Sequence, residues 1–187
     1  MNFSRTLAAL PLLLALSACV SIDSRALREE VDAVATKDLR AAFSNVSFYR
    51  SQGELMASDS IAEALDAPAR GADQAYIWRL SDKAVLVRFI TEGKTVYERV
   101  YREGVDLKTL PDQRMVLSKK TECGGHDSPG FACGGGTATL FVDSNGALAI
   151  VESSGAAGAL GFIPLVIYAK HLALFGRVQD APPLKLD

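Results

Sequence analysis

The densest grouping of reactive side chains in the chain is Cys123, His126, Asp127, Ser128 and Cys133, set in a stretch with glycines at 124, 125, 130 and 134 to 136. Two thiols, an imidazole and a carboxylate admit three chemistries: a metal site, a nucleophile with its base, or a disulfide. Structural zinc sites draw on paired Cys-x2-Cys or His-x3-His spacing, and here only Cys123 and His126 are closely spaced. A haem attachment motif, Cys-x-x-Cys-His, is absent. The adjacency of His126, Asp127 and Ser128 says nothing about a triad, which is assembled by geometry from separated positions. No Gly-x-Ser-x-Gly elbow is present. The chain has only one other histidine, His171, inside an apolar segment, where a structural histidine is the commoner case. These residues offer no catalytic site, no metal site and no cofactor site, and an enzyme is disfavoured.

At the N-terminus a single charge at Arg5 precedes an apolar run from Leu7 to Leu16, which is too short to span a bilayer. Leu16, Ser17 and Ala18 then lead directly into Cys19. This segment resembles the lipobox signal of bacterial lipoproteins, over residues 1 to 19 only. The resemblance implies cleavage before Cys19, a thioether-linked diacylglycerol on its sulfur and acylation (palmitate) of its freed amine. Two or more acyl chains tether a domain to a membrane stably without crossing it. Val20 stands where an aspartate would retain enterobacterial lipoproteins at the inner membrane, which points to the periplasmic face of the outer membrane. In that oxidising compartment Cys123 and Cys133 are most simply a disulfide. Its 11-residue loop would contribute roughly 3 kcal/mol in the chain-entropy model.

Cleavage after residue 18 leaves 169 of the 187 residues, enough for one domain with a substantial core. Net charge is −2, and −3 once Arg5 is removed. With no basic block to neutralise phosphates, nucleic acid is excluded as a partner. The expected organisation is a signal peptide over 1–18, a lipidated tether over 19–23, one domain over 24–178 and a flexible tail over 179–187.

The elements that must position any site follow from periodicity. Leu27, Val31, Ala35, Leu39 and Phe43 recur every four residues and predict an N-terminal helix from Ser24. Ser60 followed by Glu63 fits a capping box on a short helix ending before Pro68. From Gln74 to Tyr101 three alternating segments read as an antiparallel meander. A register with Ala75 opposite Phe89, and Phe89 opposite Val96, places Tyr76, Trp78, Arg88, Tyr97 and Arg99 on one face. Aromatic rings interleaved with guanidinium groups can grip a carboxylate or a glycan, so these five residues form a candidate binding surface. The same face covered by the first helix is the alternative, and a one-residue slip would exchange the faces.

Met115 to Lys119 predicts a further strand. Thr137–Val142 and Ala147–Val151 flank an Asn-Gly turn, the strongest short hairpin signal. Gly155, Gly158 and Gly161 read as a flexible connection. The nearly continuous apolar run from Phe162 to Phe175, opened by Pro164 and closed by Gly176, predicts a C-terminal helix that completes the core or touches the bilayer. The resulting expectation is an α+β fold: an N-terminal helix on an antiparallel sheet of about six strands, a disulfide-closed loop and a C-terminal apolar helix. The function expected is that of a non-enzymatic cell-envelope lipoprotein, attached to the membrane through its lipid, that binds a partner protein or a cell-wall glycan. A periplasmic inhibitor or protective factor, probing a cleft with the loop from His126 to Phe131, is the alternative.

Overall fold

The computed structural model describes residues 18–23, 33–34, 39–50, 58–124, 130–160 and 163–178. Its strands in chain order are β1 (Ala18–Asp23), β2 (Ala33–Val34), β3 (Arg40–Arg50), β4 (Gln74–Ser81), β5 (Ala84–Thr91), β6 (Lys94–Arg102), β7 (Leu107–Thr109), β8 (Met115–Ser118), β9 (Glu122–Gly124), β10 (Gly130–Asp143), β11 (Leu148–Leu160) and β12 (Ile163–Arg177). Between β3 and β4 lies the one helix among the described residues, α1 (Ile61–Ala64), a single turn. The fold is therefore nearly all antiparallel sheet, and the expected α+β architecture with two long helices is wrong.

Both errors have physical causes. A four-residue apolar repeat satisfies the strand period of two as well as the helical 3.6. Leu39, Ala41 and Phe43 accordingly face the core from one side of an extended segment, whose strand begins at Arg40. Ala33–Val34, also inside the expected helix, pairs with β10, and the rest of that helix lies outside the described residues. The C-terminal run is apolar on both sides where the Leu172–Phe175 part of β12, a strand between β3 and β11, packs side chains on both faces of the sheet. Ala173 and Phe175 enter the main core, while Leu172 and Leu174 pack on the opposite face with Phe141 and Ala149. A strand covered on both faces loses its alternation. Gly155 and Gly158, expected in a connection, continue β11.

The strand order is β6-β5-β4-β3-β12-β11-β10-β8-β7, with β1 added in parallel to β12 and β9 added to β10. The sheet rolls up, because strands at opposite ends of that order share one core. Val85, Val87 and Tyr101 from one end cluster with Leu107, Met115 and Leu117 from the other. A parallel bridge between Glu103 and Leu107 joins β6 to β7. At the same end Arg79, 4% exposed, points inward and donates to Asp82 Oδ1 at 3.2 Å and to the Gln113 carbonyl at 3.4 Å. Its charge is thus met as it is buried, as such groups require.

The meander is present over Gln74–Tyr101, and Ala75 does oppose Phe89. The turn to β6 differs. Thr91 pairs with Lys94 around Glu92 and Gly93, both at positive φ (49° and 76°), the conformation of a tight two-residue hairpin turn. A bulge at Val96 then sets Phe89 opposite Tyr97. The Asn-Gly hairpin forms between β10 and β11, with Asp143 Oδ1 accepting from the Asn145 and Ala147 amides at 3.0 and 2.7 Å. Ser60 caps α1 by accepting from the Glu63 amide at 3.1 Å. Asn45, fully buried on β3, fixes the chain around α1: its amide donates to the Arg70 and Ala72 carbonyls, and its oxygen accepts from the Ala62 amide.

Candidate functional site

β10, β11 and β12 run past the rolled core as one long sheet, and their inward face changes character on the way. Along β11 that face reads Leu148, Ile150, Glu152, Ser154 and Ala156, and along β12 it reads Phe175, Ala173, His171, Ala169 and Ile167. Apolar residues thus give way to a carboxylate and an imidazole, and then to small side chains. Glu152 is 6% exposed. Its Oε1 accepts from the Ser58 amide at 3.0 Å, and its Oε2 from the Ser58 hydroxyl at 2.9 Å and from Lys119 Nζ at 2.6 Å. Asp66, after α1, lies 4.0 Å from the same ammonium. A carboxylate this deep needs a counter-charge and donors, and it has both.

His171 is the cross-strand partner of Glu152 and only 3% exposed, and neither ring nitrogen finds a hydrogen-bond partner among the described residues. The Ser58 hydroxyl donates to the carboxylate instead of to an imidazole, so the cluster does not have the relay of an activated nucleophile.

Beyond this cluster the sheet forms the floor of a cavity of about 730 Å³. Gly134, Ser154, Ala156 and Ala169 line the floor, the loop Asp66–Arg70 forms one wall, and Lys119, Lys120 and Glu122 form the other. The floor is small-residue sheet, and the tightest approach of its strands lies beside the cavity, at Gly136. A Cβ on Gly136 would lie 2.4 Å from the Ser153 carbonyl oxygen, whereas one on Gly134 would meet only ordinary contacts at 3.6 and 3.7 Å. The wall loop is held by Asn45, and the Lys119 amide donates to the Gly136 carbonyl on β10 at 2.9 Å, so both walls are tied to the sheet.

The surface expected from the meander does not form as one face. The bulge at Val96 turns β6 over, so Tyr76, Trp78 and Arg88 share one face while Tyr97 and Arg99 share the other with Phe89 and Val87. Each has its own intramolecular engagement. Arg40 lies over the Trp78 ring at 4.6 Å, Arg88 pairs with Glu98, and Tyr76 is buried. Tyr97 packs on Phe89, and Arg99 bonds Asp106 at 2.9 Å and lies over the Tyr101 ring at 4.6 Å. Cys123 and Cys133 are joined, sitting directly opposite each other on β9 and β10 with Cα atoms 4.0 Å apart. His126, Asp127 and Ser128 lie outside the described residues. Cys19 falls within β1, opposite Val166, so residues 19–23 run as a strand beside β12.

Glu152 and Lys119 escaped the sequence reading, although a signal existed. In the predicted strand Leu148 and Ile150 have the inward parity, and Glu152 continues it. A charge at an inward position two residues beyond a core residue marks a buried ionic site.

Among the described residues there is no group of three or more His, Cys, Asp and Glu side chains placed to hold a metal ion. No protein-family model matches the chain, and no curated protein or solved structure matches it.

Proposed function

We propose that the protein is an exported lipoprotein, acylated at Cys19, that binds a cell-wall component and performs no chemistry on it. The observation that carries the binding role is the cavity over the β10–β12 floor. Its rim sets cations (Arg70, Lys120) and anions (Asp66, Glu122) around a floor of small side chains flanked by Ile167. Such a rim offers donors and acceptors of both charges to one ligand, which suits a peptide-bearing wall glycan carrying both carboxylates and amines. The ionic cluster at Glu152 supports the binding role over a catalytic one, since its serine and lysine are both spent on the carboxylate. The lipidation reading is supported by the lipobox residues and fits the Cys123–Cys133 bridge, a pairing typical of oxidising compartments.

The test is a photo-crosslinking side chain placed at Lys120 on the cavity wall, in living cells, with Lys94 on the β5–β6 turn as control. Wall-derived sugars and stem peptides attached at position 120 but not at position 94 would support the reading. Equal labelling, or none at 120, would remove it.

A further inference from the structure

Large apolar side chains that neighbour one another on one face of a sheet are rarely left half exposed without a partner surface. On β12, Val166 is 48% exposed, Ile167 42% and Tyr168 42%. Val166 and Tyr168 share the face of the sheet opposite the cavity floor, and Ile167 lies at the cavity. Opposite Val166 on β11 is Ala157, also exposed.

Two independent features say what covers Val166 and Tyr168. The first is register: β1 runs parallel to β12 with Cys19 opposite Val166 and Ser21 opposite Tyr168. The proposed lipid attachment point is thus on the neighbouring strand, at the level of the patch. The second is charge. From Ser153 to Ala169, through the whole distal β11–β12 hairpin, the chain contains no Asp, Glu, Lys, Arg or His, and β1 contains none before Asp23. The first charges on this edge are Asp23 and Lys170, which pair with each other in register. From Ala169 to the hairpin end at Ile163 the strand extends roughly 20 Å at about 3.3 Å per residue. Glu122, opposite Gly134 on the far edge, limits how deep the sheet can go, so the contact is shallow and led by the β12–β1 edge.

We propose that the outer face of β12 at Val166 and Tyr168 seats on the lipid bilayer that receives the acyl chains of Cys19. Tyr168 then sits at headgroup level, where amphipathic rings are favoured, and the anchor holds the domain in one orientation instead of on a free tether. The inference rests on lipidation at Cys19.

The test uses the full-length precursor processed in cells, purified with its lipid and reconstituted into phosphatidylethanolamine–phosphatidylglycerol vesicles containing brominated acyl chains. Mass spectrometry of the Cys19 peptide is recorded first. V166W and Y168W are compared with V105W, at a 79% exposed turn position, and with the parent protein, whose only tryptophan is Trp78. At least two-fold quenching of the added fluorescence in V166W and Y168W, with none in V105W, is the expected result. An acylated, vesicle-bound protein whose added tryptophans remain unquenched would overturn the seating alone. An unacylated Cys19 would overturn both the seating and the lipoprotein reading.

Discussion

Removing the Glu152 carboxylate is the sharpest perturbation of the proposed site's foundation. Three donors converge on it, from the Ser58 amide, the Ser58 hydroxyl and Lys119, and its side chain is 7% exposed against 16% for Lys119. Glu152→Ala leaves the Lys119 ammonium with Asp66 at 4.0 Å as its nearest carboxylate among the described residues, and leaves the Ser58 amide unpaired. Breaking one partner out of a buried pair costs about 3–5 kcal/mol. Because Lys119 retains some access to water, the lower end applies, about 3 kcal/mol. Glu152→Gln keeps an acceptor for Ser58 and loses only the charge, so a loss of about 1–2 kcal/mol is expected. The assay is urea unfolding at pH 7 followed by Trp78 fluorescence and circular dichroism. Lys119→Met and the Glu152→Gln/Lys119→Met double variant complete a cycle, which should show a coupling of at least about 1 kcal/mol. Additivity within about 0.3 kcal/mol, or a neutral Glu152→Ala, would refute the claim that this pair is a buried, mutually dependent unit.

Gly136→Ala should lower stability by more than about 2 kcal/mol, since its Cβ would be driven to 2.4 Å from the Ser153 carbonyl oxygen, while Gly134→Ala should stay within about 0.5 kcal/mol. Urea midpoints for the two variants check the contrast. Replacing both Cys123 and Cys133 with Ser should cost about 2–3 kcal/mol by release of the closed loop, measured by thermal unfolding against the parent protein under identical conditions. Burial pushes the Tyr101 phenol up to about 12 from an ordinary value of 10, against an opposing pull from Arg99. The unfolded state then loses its proton first as pH rises, so stability should be intact below pH 10 and fall between about pH 10 and 12, by up to about 2–3 kcal/mol. Tyr76, raised in the same direction by burial, adds to the fall. Tyr101→Phe should flatten part of this alkaline slope in urea titrations, and an unchanged slope would contradict the assignment.

Local signals were legible wherever turn chemistry and strict alternation agreed. The Asn-Gly hairpin, the Ser60 cap and the β4–β5 register all follow from residues that state one conformation each. The fold class was not legible, because Leu39 and Phe43 are compatible with either period and because the Leu172–Phe175 part of β12 is packed, and apolar, on both faces. Its β-branched Val166 and Ile167 were the signal against a helix. The candidate aromatic surface was lost to a single extra residue: the bulge at Val96 reverses the facing of everything after it on β6, and no residue type announces a bulge there. The ionic cluster beside the cavity depends on long-range placement, with Ser58, Lys119 and Glu152 separated by up to 94 positions, so only the inward parity of Glu152 hinted at it.

The most direct measurement of the central claim is titration calorimetry of the purified protein with disaccharide-peptide fragments released from cell wall, alongside Ala156→Phe, which fills the cavity floor. One saturable site in the parent protein, weakened at least ten-fold in Ala156→Phe with the fold intact by circular dichroism, is the predicted result. No binding at millimolar fragment, or binding that Ala156→Phe leaves unchanged, would contradict it.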